Sequence, residues 1–170
     1  MTDLLQPLPP DQWDESIQHI AERLGNPLNI HKMIAHHPAL MEAYTPLRYH
    51  VVGNSVLGGR LRELLILRVA HLIGSEYEWV HHVARGQTAG LTMDEIEQAK
   101  LGGHVEGWSA AEQHVLNSAD EMIVNHQLSE GSVAGLRNAI GKEGVLDVVF
   151  TIGVYLSLGV LLKTFDVPVD

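Results

Sequence analysis

A Ser or Thr followed three residues later by Glu stands ahead of an apolar run three times in this chain, pairing Ser75 with Glu78, Thr92 with Glu95 and Ser109 with Glu112. Each is a capping box: the hydroxyl accepts from an early helical amide and the Glu reaches back to the cap amide, satisfying donors that a helix start leaves unpaired. With Gly or Pro between the apolar stretches and no convincing alternating strand run, three such starts predict an all-α chain of six to eight helices.

Along the chain, Asp11 is expected to cap a first helix carrying Trp13, Ile17, Ile20 and Leu24, closed by Gly25-Asn26-Pro27. Asn29 opens a short helix stopped by Pro38, and the stretch Ala39 to Tyr49 contains Pro46, so a bend or division is expected there. The best core helix is the run RLRELLILRVAHLIG after Gly58 and Gly59, which Gly74 ends. Helices follow from Ser75 to about Ala89, from Thr92 to the Gly102-Gly103 pair, and from Ser109 through Leu116, Ala119 and Ile123. A short helix around Val133 to Ile140 and an apolar one from about Val145 to Lys163 complete the set. No repeat or linker stands out, so residues 1–170 read as a single domain.

The 170 residues are 45% hydrophobic, enough for one substantial core. A formal charge of -10, from 11 Lys plus Arg against 21 Asp plus Glu, gives no electrostatic basis for nucleic acid or an anionic membrane surface as partner. Val148 to Leu162 is almost uncharged but short for a bilayer crossing, and reads as a buried or interface helix. MTDLLQPLPPDQWDES has no basic segment leading into an apolar run, so the expected location is cytoplasmic. The absence of Cys removes disulfides, thiolate nucleophiles and Cys-based metal sites. Chemistry is left to His, carboxylates, hydroxyls or a bound cofactor.

Eleven His are present, with doublets at His36-His37 and His81-His82, neither in a standard zinc motif. For His36, His37 and His81 a solvated or hydrogen-bonded role is the plainer reading. His82 lies four residues after Glu78 and on the same helix face, where a carboxylate can fix its tautomer. Glu63 sits on an apolar helix and has to be paired or raised in pKa if buried. Its partner is either a working group or an Arg such as Arg60 or Arg62. Glu63 is 11 residues before Gly74 and His82 eight after it, so two antiparallel helices turning there bring the two toward one level. Arg60, Arg68 and Arg85 are the cations near enough to hold a substrate carboxylate, and Arg68 has the most apolar neighbours.

The segment RELLILRVAHLIGSEYEWVHHVARGQTAGLTMDEIEQAK strongly resembles the carboxymuconolactone decarboxylase and AhpD-like superfamily of small all-helical proteins. The downstream helix with Ala119-Asp120-Glu121 and the terminal helix with Tyr155 extend the resemblance over most of the chain. In the alkylhydroperoxidase branch, a Glu is followed after eleven residues by Cys-x-x-Cys and then a His. Here the Glu falls on Glu63, the Cys positions on Ser75 and Glu78, and the His on His82. Thiol peroxidase chemistry is therefore not expected, since Ser75 and Glu78 cannot form a disulfide. The thiol-free decarboxylase branch acts on a ring-fused lactone acid in aromatic catabolism.

The available groups write a cofactor-independent scheme. His82 is the general base, Glu63 and Glu78 assist, and Arg68 or Arg85 neutralises a substrate carboxylate or enolate. Tyr77, Trp79 and His81 are candidate pocket residues, with Tyr49 and Tyr155 weaker ones. The expected function is a lyase or isomerase acting on a small carboxylated lactone, enol or keto acid. Two other readings stay open: a metal-dependent enzyme using Glu63, Glu78 and His82 as ligands, and a non-catalytic structural or binding oligomer. The apolar last helix and the resemblance both imply a homo-oligomer, a trimer or hexamer before a dimer.

Overall fold

The computed structural model describes residues 5–170, and the leader reading above therefore rests partly on residues 1–4, which lie outside the described residues. Among the described residues the chain is entirely helical: α1 Gln18–Leu24, α2 Asn29–Ile34, α3 Pro38–Tyr49, α4 Gly58–Ile73, α5 Glu76–Thr88, α6 Met93–Ala99, α7 Ala110–Asn125 and α8 Glu130–Thr164.

α4 is the hub, packing against α5, α7 and α8. All its residues from Glu63 to Ala70 are buried because its two apolar sides serve two clusters. Leu65, Ile66 and Val69 join the main core with α1 to α3, α7 and α8. Leu64 and Leu67 face a smaller cluster with Leu91, Ile96, Trp108 and Leu116. The nearly continuous apolar cover of this helix in the sequence is thus the mark of a helix between two cores.

Three expectations need correction. Asp11 does not start the first helix; Pro9 and Pro10 lead into a 3-10 turn at Pro10–Gln12, a second spans Glu15–Ile17, and α1 begins only at Gln18. The capping acid is Asp14, whose Oδ1 accepts from Ser16 N at 2.9 Å. Pro46 does not divide α3, which stays α-helical to Tyr49 and passes directly into a π-helical turn at His50–Asn54. α6 ends at Ala99, ahead of the Gly102-Gly103 pair. The last two expected helices are both present, as the two parts of α8 that meet at Gly141 (φ 76°, ψ 178°), a non-helical conformation that L side chains rarely adopt.

α8 is long and apolar enough, by length and composition, to cross a membrane. Its role here is that of a core helix: Val148, Ile152, Tyr155, Leu158 and Leu162 are buried within the fold. Near its middle Asp147 is tied down by His50 Nε2 at 2.7 Å, Ser55 Oγ at 2.8 Å and Val56 N at 2.8 Å.

Candidate active site

The site grows out of the α4–α5 turn. Gly74 takes the left-handed conformation (φ 63°) that ends α4, and Ser75 caps α5 by accepting from Glu78 N at 3.5 Å. The two helices approach closely because Gly86, one turn beyond His82, has no side chain. A Cβ there would stand 3.1 Å from Leu91 Cδ1 and 3.4 Å from Leu67 Cδ1.

The three capping motifs then part company. Glu95 and Glu112 return to their cap amides, accepting from Thr92 N and Ser109 N at 2.8 Å each. Glu78 does not; its Oε2 lies 3.4 Å from His82 Nε2. A residue that reads in the sequence as half of a cap is diverted into the site.

Glu63 and His82 meet across the hairpin, with Nδ1 and Oε2 2.6 Å apart. Glu63, Glu78 and His82 are only 2%, 4% and 1% exposed, so each carboxylate and the imidazole depend on one another for solvation. Glu63 also accepts from Arg62 Nε at 3.1 Å. Burial pushes the Glu63 carboxyl up, but the hydrogen bond and charge of His82, with the Arg62 guanidinium, outweigh it and leave the group below the usual carboxylate range.

On the other ring nitrogen, Arg85 Nη1 lies 3.1 Å from Nε2. A guanidinium can only donate, so this contact favours the tautomer with the lone pair on Nε2 and the proton on Nδ1, where Glu63 accepts it. The ring of Tyr155 stands edge-on to the imidazole at 5.0 Å.

Nε2 faces a small polar cavity of about 30 Å³, lined by Glu78, Arg85, His31, Arg48, Tyr44 and Tyr77 among others. Tyr77 and His81 form one wall, stacked with centroids 4.4 Å apart. The Tyr77 hydroxyl accepts from Ile30 N at 3.2 Å and donates to the Asp170 carboxylate, which also lies 3.4 Å from His81 Nε2. Burial, helped by the positive charges of Arg48 and Arg85, pushes His31 down to about 3, so it is a neutral wall whose Nδ1 accepts from Leu28 N at 3.0 Å. Burial pushes the Tyr44 phenol up to about 12.

The structure therefore brings together His82, Glu63, Glu78, Arg85, Tyr77 and His81. Arg68 and Trp79 stand elsewhere. Arg68 is five residues from Glu63 and points to the other side of α4, where it pairs with Asp120 (Nε to Oδ1, 3.0 Å) and donates to the carbonyls of Ala99 and Lys100. Its apolar neighbours marked a buried, paired cation, not a free one. Trp79 packs against the smaller cluster, with Lys100 Nζ 4.6 Å from its ring centroid. Tyr49 lies outside the cavity, with Arg23 and Arg48 over its ring.

The metal-ligand reading of Glu63, Glu78 and His82 meets a geometric obstacle. The two carboxylates address opposite ring nitrogens, so one ion cannot contact both and the imidazole together. Among the described residues no group of three His, Asp or Glu side chains is arranged to hold a metal ion.

Arg48, Tyr44 and His31 were not legible as site residues. They arrive from α2 and α3, and no spacing within the Glu63 to His82 segment points to them. His31, the one His of the short helix NIHKMI, was the single signal available.

Residues 38–121, which include Glu63 and His82, match the model of the carboxymuconolactone decarboxylase family. Solved structures share the fold. A peroxidase-related protein from Silicibacter sp. TM1040 is similar with a TM-score of 0.81 at 20% identity, over 100% of this chain and 95% of its own. A Cys-to-Ala variant of the debrominase Bmp8, in complex with 2,3,4-tribromopyrrole, gives 0.79 at 16% identity, over 100% and 93%. An alkylhydroperoxidase AhpD core protein from Ralstonia eutropha JMP134 gives 0.78 at 15% identity, over 98% and 91%. No curated protein matches the chain. With the family match spanning α3 to α7, the same fold over the whole length and no Cys anywhere in the sequence, the chain is a Cys-free member of the carboxymuconolactone decarboxylase and AhpD-like superfamily.

Proposed function

We propose that the protein is a cofactor-independent acid–base lyase or isomerase acting on a small organic acid, such as a carboxylated lactone or an enol or keto acid. The observation that carries this reading is the asymmetry of His82: Nδ1 is held by a buried carboxylate, while Nε2 turns its lone pair into a cavity beside Arg85 and Glu78. In this scheme Nε2 takes a proton from the carbon or hydroxyl next to a carbonyl. Glu63 stabilises the imidazolium that forms, and the electron pair moves onto the carbonyl oxygen as an enolate. Arg85, displaced from Nε2 by the substrate, neutralises that oxygen. In a decarboxylation the C–C bond breaks instead and CO2 leaves, the bonding electrons form the same enolate, and the carbon takes up a proton that His82 relays from solvent.

The absence of Cys separates this chemistry from a thiol peroxidase, because no sulfenic acid or disulfide can form. His82→Ala and Glu63→Gln should each lower turnover about 100-fold or more on a carboxylated lactone or keto acid, with the helical fold retained. Near-normal rates in both variants would place the chemistry elsewhere.

We further propose that the protein works as a closed homo-oligomer, a trimer or hexamer before a dimer. Support comes from α8, where Leu146, Phe150 and Val160 are 61%, 54% and 55% exposed along one side of a helix whose other side is core.

A further inference from the structure

The polar cavity holds about 30 Å³, room for one or two water molecules and too little for an organic acid. Beside it, between α3 and α8, runs a groove of about 520 Å³, within the roughly 300–1,000 Å³ of small-molecule sites. Its walls include Leu40, Leu47, Met122, Phe150, Val154 and Leu161. Its polar groups are few; Ser157 Oγ is already spent on Gly153 O at 2.9 Å. Two residues, Tyr44 and Leu158, line both spaces.

The polar end carries two cations, Arg48 and Arg85, beside one carboxylate, Glu78, which is turned to His82. Arg48 lies over the Tyr49 ring, Arg85 meets His82 Nε2, and among the described residues neither forms an ion pair with Asp or Glu. By contrast, Arg60, Arg62 and Arg68 are each paired with an acid. An unpaired, partly buried arginine pair at the end of an apolar groove is complementary to one shape of ligand: a carboxylate attached to an apolar body.

We infer that the groove between α3 and α8 is the compartment for the apolar body of the substrate, whose carboxylate is held by Arg48 and Arg85 beside His82. Tyr44 and Leu158 form the neck between the two spaces and move aside when the ligand is bound. This deepens the acid–base reading above and rests on it for the identity of the reacting end. It makes the substrate class an organic acid with an extended apolar portion rather than a compact polar one.

The test is calorimetric titration of the full chain with hexanoate, octanoate and decanoate below their micelle concentrations. Burial of each added methylene should tighten binding about threefold to fourfold. Gly153→Leu and Ser157→Leu should flatten the series. Gly153 suits this because a Cβ there meets nothing within 4 Å, so the new side chain fills the groove without straining the helix. Arg48→Gln should weaken every member by a common factor and leave the chain-length dependence intact. Affinity that does not rise with chain length would overturn the inference. So would a series unchanged by both groove variants, or variants that alter only the mass of the assembly. Because binding is read without turnover, failure here is distinct from failure of the His82 variants to lose activity.

Discussion

His31 shows how a single buried group ties the site to stability. Its proton is taken up near 6.5 in the unfolded chain but only near about 3 in the fold, because burial and then Arg48 and Arg85 oppose the charged form. Below pH 6.5 the unfolded state therefore binds more protons. The contribution of His31 to stability is complete above that value and is lost as pH falls toward 3. Between pH 6.5 and 5 the loss should be about 1–2 kcal/mol, and His31→Gln should remove it. Urea unfolding of both proteins at several pH values reads the difference directly; parallel curves would mean that His31 is not held neutral. At this scale the pairing of Glu63 with His82 was legible because both flank one glycine turn at similar distances. Arg48 and Tyr44 were not, since tertiary packing alone carries α3 to the cavity.

Elements were more legible than residues, because a capping box is a local hydrogen-bonding code and Gly74 a local stop. What the code could not tell was which box would be left open. Glu78 has the same spacing from its Ser as Glu112, yet Glu112 returns to Ser109 N and also accepts from Arg60 Nε at 2.7 Å, whereas Glu78 faces His82. The second element-level misreading was Arg68, whose partner Asp120 lies 52 residues away on α7. There it fastens α4 to α7 and to the end of α6. Arg68→Met should cost about 1–3 kcal/mol, below the range for a fully buried pair because Asp120 is a third exposed, and should leave alkanoate binding unchanged. Thermal unfolding and titration of the same variant separate the two effects; weakened binding at undiminished stability would return Arg68 to the site.

The all-helical fold follows from the whole pattern of caps and breakers. The apolar character of α8 has two causes that the sequence could not separate: one side is core, and another stripe, with Leu146, Phe150 and Val160, is exposed. Light scattering at low micromolar concentration should give a multiple of 18.7 kDa, and a mass of one chain would contradict the proposed assembly. The proposed chemistry turns on one imidazole whose Nδ1 proton is given to Glu63 and whose Nε2 lone pair is left for the substrate once Arg85 is displaced. Long-range ¹H–¹⁵N correlation spectra of His82 at pH 8 measure that state directly. A protonated Nδ1 and an unprotonated Nε2 are expected, whereas a proton resident on Nε2 would leave no base facing the cavity and would contradict the proposed chemistry.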